Sequence, residues 1–119
     1  MYGFSLLSVK PQTKLEKKMT IQIKLDNNQV NFKLIGSIDT KGGSELSNKF
    51  AEITKNKALT CAIFDLSEVP TTNSAGIGKL LKYYKYFDGL GGKMEIKGIS
   101  PDLLKQFQEI HLDNIIPVS

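Results

Sequence analysis

The 119-residue chain has no arginine and no tryptophan, one cysteine and one histidine, and each shortage closes off a class of function. All 16 cations are lysine. Lysine lacks the planar fork with which arginine reads guanine edges and grips phosphate at two points. Despite a formal net charge of +4, the composition therefore argues against a sequence-specific DNA reader. With 4 Tyr, 6 Phe and no Trp, few rings are at hand for a base-stacking platform. Cys61 allows no internal disulfide, and the run Cys61-Ala62-Ile63-Phe64 reads as a small buried hydrophobe rather than a reactive thiol. One cysteine and a distant His111 do not make a zinc site. No stretch approaches the roughly 18 apolar residues needed to cross a bilayer. The opening Met1–Val9 lacks the positive flank and small-residue cleavage site of a signal peptide. The expectation is a soluble cytoplasmic domain, with no direct nucleic-acid partner and no membrane insertion.

What is present fits one globular domain: 40% of the residues are hydrophobic and 24% charged, a balance that supports a single core. The charge is uneven. Residues 1–19 carry Lys10, Lys14, Lys17 and Lys18 against Glu16, a net +3, and the remainder is nearly neutral at +1. With the loop chemistry of Lys10-Pro11-Gln12-Thr13-Lys14, residues 1–19 read as an N-terminal extension ahead of a domain at 20–119. Met19 is a candidate start.

Ile21, Ile23 and Leu25 alternate with Gln22 and Lys24, the period of a half-buried strand. After the turn residues Asp26-Asn27-Asn28-Gln29, the alternation of Val30, Phe32 and Leu34 makes a hairpin partner ending at Ile35-Gly36. A polar, glycine-bearing connection leads to a helix near 44–56, with Leu46, Phe50 and Ile53 on one face. Thr60 to Leu66 is a nearly continuous apolar strand, which suggests a central strand covered on both faces. Ser74 to about Phe87 reads as a second helix with Ile77, Leu80, Leu81 and Tyr84 as its buried stripe, ended by Gly89-Leu90-Gly91-Gly92. Met94 and Ile96 mark a fourth strand. Ser100 as N-cap and Pro101 at the first helical position start a third helix, with Leu103, Leu104, Phe107 and Ile110 on its apolar face. A short apolar stretch from Leu112 to Val118 closes the chain. The order β-β-α-β-α-β-α predicts an α/β domain with a mixed sheet of about four to five strands packed by helices.

The segment Phe64-Asp65-Leu66-Ser67-Glu68-Val69-Pro70-Thr71-Thr72-Asn73-Ser74-Ala75-Gly76-Ile77-Gly78 carries the most chemistry. A strand runs into a polar loop that delivers Ser74 to the first turn of a helix. Gly76 and Gly78 are costly helix residues, about 1 kcal/mol each against alanine, and small residues there let another surface come close. Ser74 has two readings. One is an ordinary helix N-cap. The other is a phosphoacceptor, whose phosphate would meet free N–H groups and the positive end of the helix dipole. About −1.5 to −2 charges placed on a face of small neutral residues would turn a binding surface off.

The strand Ala62–Ser67, the turn Asn73-Ser74-Ala75-Gly76-Ile77-Gly78, the later Gly98-Ile99-Ser100-Pro101 and the earlier Gly36-Ser37-Ile38-Asp39 resemble the STAS domain. More narrowly, the chain is similar to stand-alone bacterial anti-sigma-factor antagonists over roughly residues 20–118. The resemblance implies a single STAS-type domain that captures an anti-sigma factor doubling as an ATP-dependent serine kinase. It places the kinase's target at Ser74 and the partner-binding face at Asp39, Asn73, Ser74, Ala75 and Gly76. A phosphatase restores the binding form. ATP and magnesium belong to the kinase, so the chain needs no cofactor. The family usually has Asp where this chain has Asn73, and often apolar or aromatic residues at Thr71-Thr72. Some STAS domains instead serve, without phosphorylation, as subunits of lipid-transport or stress-signalling complexes, a use that Asn73 favours. Asp39 also reads as a turn or capping aspartate, and Asp65 as a residue satisfying loop N–H groups.

Catalysis and nucleotide binding fit poorly. A triad of Asp65, Ser74 and His111 lacks the first glycine of the nucleophile elbow and a glycine-rich oxyanion loop. Gly91-Gly92-Lys93 is followed by Met94, so it is not a P-loop. The sequence predicts a binding protein, not an enzyme.

Overall fold

The alternating segments do form strands, because each can turn one apolar row inward. The computed structural model describes residues 19–56 and 58–119. It contains β1 (Thr20–Asp26), β2 (Gln29–Ile35), α1 (Thr40–Ile53), β3 (Cys61–Glu68), α2 (Ser74–Gly89), β4 (Lys93–Ile99) and α3 (Pro101–Glu109), then a 3-10 turn at Leu112–Asn114. Of the predicted extension at 1–19, residues 1–18 lie outside the described residues. Met19 belongs to the folded body, buried at the head of β1.

The sheet order is β1-β2-β3-β4, so every strand lies beside its neighbour in the chain. β1 and β2 pair antiparallel across the two-residue turn Asn27-Asn28, with Asp26 opposite Gln29. β2–β3 and β3–β4 are parallel. Val118 adds one parallel bridge to Ile96, a rudimentary fifth strand. The number of strands and the order of the elements are those read from the sequence.

One row from each strand builds the core: Val30, Phe32 and Leu34; Ala62, Phe64 and Leu66; Met94 and Ile96. Phe32 stacks on Phe64 at 4.6 Å between ring centroids, and Phe50 of α1 stacks on Tyr83 of α2 at 3.9 Å. The intervening residues Cys61, Ile63 and Asp65 are only partly buried. Among the described residues β3 is thus central in order but covered on one face, not two, and Cys61 is not the fully buried hydrophobe its neighbours suggest. The uncovered face forms a shallow hollow of about 610 Å³ with Lys24, Asn31, Lys33, Ile63, Asp65 and Lys97 among its walls. Lys33 is paired there with Glu68 at 3.2 Å.

Helix boundaries and faces differ from the sequence reading. α1 starts at Thr40, four residues early, because Asp39 caps it and Gly42 and Gly43 are buried inside its first turn. Gly42 faces Met19, where a Cβ would come within 3.2 Å of the Met19 Cβ. In α2 the buried row is Gly76, Leu80, Tyr83 and Phe87, whereas Ile77, Leu81 and Tyr84 are half-buried. Tyr83 turns inward because its ring stacks on Phe50 while its hydroxyl meets Ser47 Oγ at 3.0 Å. In α3 only Leu103 and Phe107 are buried, and Ile110 is 49% exposed.

Candidate functional site

The parallel strands β2 and β3 end at the same edge of the sheet, and their continuations stay joined. Gly36 donates to the Glu68 carbonyl at 2.9 Å and Ile38 to that of Thr71 at 3.2 Å; Asn73 donates back to the Ile38 carbonyl at 3.4 Å. Ile38 and Thr72 form a parallel bridge one residue before each helix cap. The starts of α1 and α2 are thereby held side by side.

Both helices are capped in the same way. Asp39 is extended, at φ −97°, and its Oδ1 accepts from Gly42 N at 2.7 Å. Asn73, at φ −108°, accepts from Gly76 N at 2.9 Å. The cap of α2 is therefore Asn73 and not Ser74, which resolves one of the two readings of the serine. Ser74 is the first helical residue and is exposed, as are Asp39, Asn73 and Ala75. Among the described residues, the Ser74 hydroxyl has no protein hydrogen bond, and the N–H groups of Ser74 and Ala75 find no acceptor. No acidic residue lies in the first turn of α2, so the positive end of its dipole is not neutralised.

Gly76 has another position. It is buried, and a Cβ there would run into the Thr72 hydroxyl and stand 2.8 Å from the Ile38 carbonyl oxygen. Of the five residues the sequence assigns to the recognition face, Gly76 alone turns into the protein. Gly78 is exposed, with nothing within 4 Å of a Cβ. Openness around Ser74 comes from Ala75 and Gly78; Gly76 lets α2 seat against the Ile38–Thr72 bridge.

Thr72 is buried at 7% exposure and donates its hydroxyl to the Ile38 carbonyl at 3.0 Å. Gln106, on α3, holds the same loop from the other side. Its Oε1 accepts from the Thr71 hydroxyl at 2.9 Å and from Thr72 N at 3.3 Å; its Nε2 donates to the Thr72 carbonyl at 3.1 Å. Sequence reasoning missed Gln106, since a single glutamine 34 residues away carries no periodic or motif signal. Ser100, the expected cap of α3, accepts from Leu103 N at 3.3 Å and donates to the Val69 carbonyl at 2.6 Å, tying α3 to the same loop.

The other polar candidates lie apart from this cluster. Asp65 Oδ1 accepts from the Ser67 hydroxyl at 2.6 Å and from Ser67 N at 3.0 Å, and these bonds, the hydroxyl's foremost, hold its carboxyl below its ordinary pKa. It satisfies the N–H of Ser67, but within the strand and not in the loop expected from the sequence, because β3 runs on to Glu68. His111 is exposed in a left-handed conformation, φ 62°, beyond the C-terminal end of α3, whereas Ser100 anchors the helix's first end beside the Ser74 loop. Asp65, Ser74 and His111 therefore form no triad. Among the described residues no group of three His, Cys, Asp or Glu side chains is placed to hold a metal ion. No helix among them is long and apolar enough to cross a membrane.

Comparison with known proteins gives a consistent result. The family model of the STAS domain matches residues 20–119. The structure is similar to that of the anti-sigma factor antagonist SpoIIAA in its unphosphorylated form, with a TM-score of 0.73 and 20% identity, covering 84% of this chain and 88% of that one. It is also similar to SpoIIAA, a Bacillus cell fate determinant, in its phosphorylated form, with a TM-score of 0.68 and 20% identity over 84% and 91% of the two chains. An anti-sigma factor antagonist from Mycobacterium paratuberculosis matches at a TM-score of 0.74 and 18% identity, over 85% of each chain. At these identities the structural likeness establishes the shared fold.

Proposed function

The chain belongs to the STAS domain family, and from that premise we propose that it is an anti-sigma-factor antagonist, a binding protein switched off by phosphorylation at Ser74. The partner is an anti-sigma factor that is also a serine kinase and brings its own ATP and magnesium; a phosphatase reverses the modification. Asp39, Asn73, Ser74 and Ala75 form the recognition face, with Gly76 as the support beneath it. This chain supplies a substrate hydroxyl and a surface, and no catalytic group.

The observation that carries this reading is the division of labour between Asn73 and Ser74. Because Asn73 caps α2, the Ser74 hydroxyl is left exposed and uncommitted at a helix N-terminus. A phosphate there would be accepted by free N–H groups and the helix dipole, so the fold would survive the modification. The neighbours of Ser74 on the exposed side of α2, Asn73, Ala75 and Gly78, are small and uncharged, so adding about −1.5 to −2 charges changes what can dock. Asn73 preserves the cap that the family's usual aspartate would provide and withholds its charge.

Intact-mass measurement on the protein from its native host tests this directly, with Ser74→Ala as control. A phosphorylated fraction that vanishes in the control is expected. Ser74→Glu should weaken capture of the anti-sigma partner by about tenfold or more, since desolvated like charges oppose docking, and Ser74→Ala should preserve it. Equal capture by both variants would defeat the switch. If Ser74 stays unmodified through growth and stress, the neutral Asn73 favours the other reading, a non-phosphorylated STAS subunit of a lipid-transport or stress-signalling complex.

A further inference from the structure

β1 is the edge of the sheet, and among the described residues nothing pairs with its outer side. The turn closes on the Asp26–Gln29 pair, which in a two-residue hairpin is a mutually hydrogen-bonded pair. Counting back in twos, Gln22 and Lys24 spend their backbone groups on β2. The N–H and C=O groups of Ile21, Ile23 and Leu25 therefore point outward, unpaired. Such an edge is a template for another strand.

The side chains on this edge are asymmetric along its length. Ile21, Ile23 and Leu25 stand opposite Leu34, Phe32 and Val30, on the helix-covered face. Ile21 and Ile23 are partly buried, but Leu25 is 55% exposed, the most exposed large hydrophobe of the described residues. At the other end of the strand is a hollow of about 360 Å³ lined by Met19, Ile21, Glu45, Asn48 and Lys49. One strand thus carries an apolar projection at one end and a hollow with an apolar floor at the other.

We propose that this edge is a homodimer surface, on which a second copy of the chain adds its β1 antiparallel about a two-fold axis through Ile23. That register puts Ile23 opposite the partner copy's equivalent residue and Leu25 opposite Ile21, so each projection enters the other copy's hollow. Every outward N–H and C=O of Ile21, Ile23 and Leu25 then finds a partner. The charges agree with the register. On the opposite face Lys24 meets Gln22, and Asp26 meets Thr20, so no like charges stand directly opposite one another. The result is one continuous eight-stranded sheet, with an isologous contact as a two-fold requires.

Sedimentation of the full chain from micromolar to near-millimolar concentration tests the assembly. A species of twice the single-chain mass is expected. Leu25→Lys, at an exposed position, should abolish that species while leaving circular dichroism unchanged and, at concentrations low enough for the parent to be single as well, the melting temperature too. Register is tested by cysteines in a Cys61→Ser background. Ile23→Cys should form a disulfide-linked dimer under mild oxidation, because a two-fold at Ile23 brings the new cysteine beside its own copy. Leu25→Cys, facing Ile21, should not. A chain that stays single at all concentrations overturns the proposal, whether residues 1–18 or solvent cover the edge. A dimer indifferent to Leu25→Lys, or linked by Leu25→Cys instead of Ile23→Cys, overturns it as well.

Discussion

Gln106 grips Thr72 at both of its backbone groups, accepting from its N–H at 3.3 Å and donating to its carbonyl at 3.1 Å. A side-chain amide here does what a neighbouring strand does elsewhere. It satisfies one residue of a loop that leaves the sheet, two positions before Ser74. The loop's path into α2 is thus set from two sides, by Ile38 on the extension of β2 and by Gln106 on α3.

Removing that amide should loosen the loop more than the protein. Gln106→Ala loses three hydrogen bonds in a partly exposed setting, an expected cost of about 1–2 kcal/mol in denaturant unfolding. Exchange of the Thr72 amide hydrogen should accelerate well beyond that of the core strands. Gln106→Glu keeps the acceptor and loses the donor to the Thr72 carbonyl, so it should fall between. Unchanged Thr72 exchange in Gln106→Ala would show that the clamp contributes nothing.

Two glycines two residues apart on α2 should respond in opposite directions to alanine. Gly76→Ala pushes a methyl group into Thr72 and the Ile38 carbonyl, and overpacking of this kind costs about 1–3 kcal/mol or more. Gly78→Ala meets nothing within 4 Å and should stabilise by up to about 1 kcal/mol through helix propensity. Thermal melts of the two variants settle the matter, and a shared sign would mean that α2 does not seat on the Ile38–Thr72 bridge as described.

Asp65 should make part of the stability depend on pH. Its pKa is lowered by the Ser67 hydroxyl first, then by the Ser67 N–H, with Lys33 adding to both. A group depressed in the folded state stabilises above its unfolded value of about 3.9 and stops doing so as pH falls through the folded value. Asp65→Asn should therefore be less stable than the parent at neutral pH. The gap should be about 1 kcal/mol or less for this partly exposed group, and it should close in acid, below the usual carboxylate range. A gap that stays constant from neutral pH into that acid range would contradict the assignment.

The sheet was legible in the sequence because one-sided burial writes a period of two into β1, β2 and β4. The candidate site was legible as a segment only: a capping residue followed by small residues marks a helix start, and the resemblance to the STAS family supplied the further reading. What escaped reading has physical causes. Gly42 and Gly43 have the chemistry of a loop, and only the approach of Met19 to the first and of the Lys79 side chain to the second gives a reason for them inside a helix. Gly76 adds no hydrophobicity to the periodic pattern of α2, so the apparent stripe shifted toward Ile77, Leu81 and Tyr84. Tyr83 belongs to the core only once Ser47 satisfies its hydroxyl. Ser74 reads as a cap from its residue type, and only the backbone geometry gives that place to Asn73. Gln106 acts across 34 residues, a distance no local pattern spans.

Since strand order follows chain order, each new strand can dock on the edge left by the one before, with one local hairpin closure for β1–β2 and a closure over an intervening helix for each parallel pair. The loop before Ser74 does not share that early timing. Its second fastening, Gln106, lies on α3, which follows all four strands in chain order. Until Gln106 is in place, the Thr71–Ser74 segment can be held from the β2 side only. The set form of that segment is in this sense a record of completed folding, written at the end of the molecule where α1 and α2 begin.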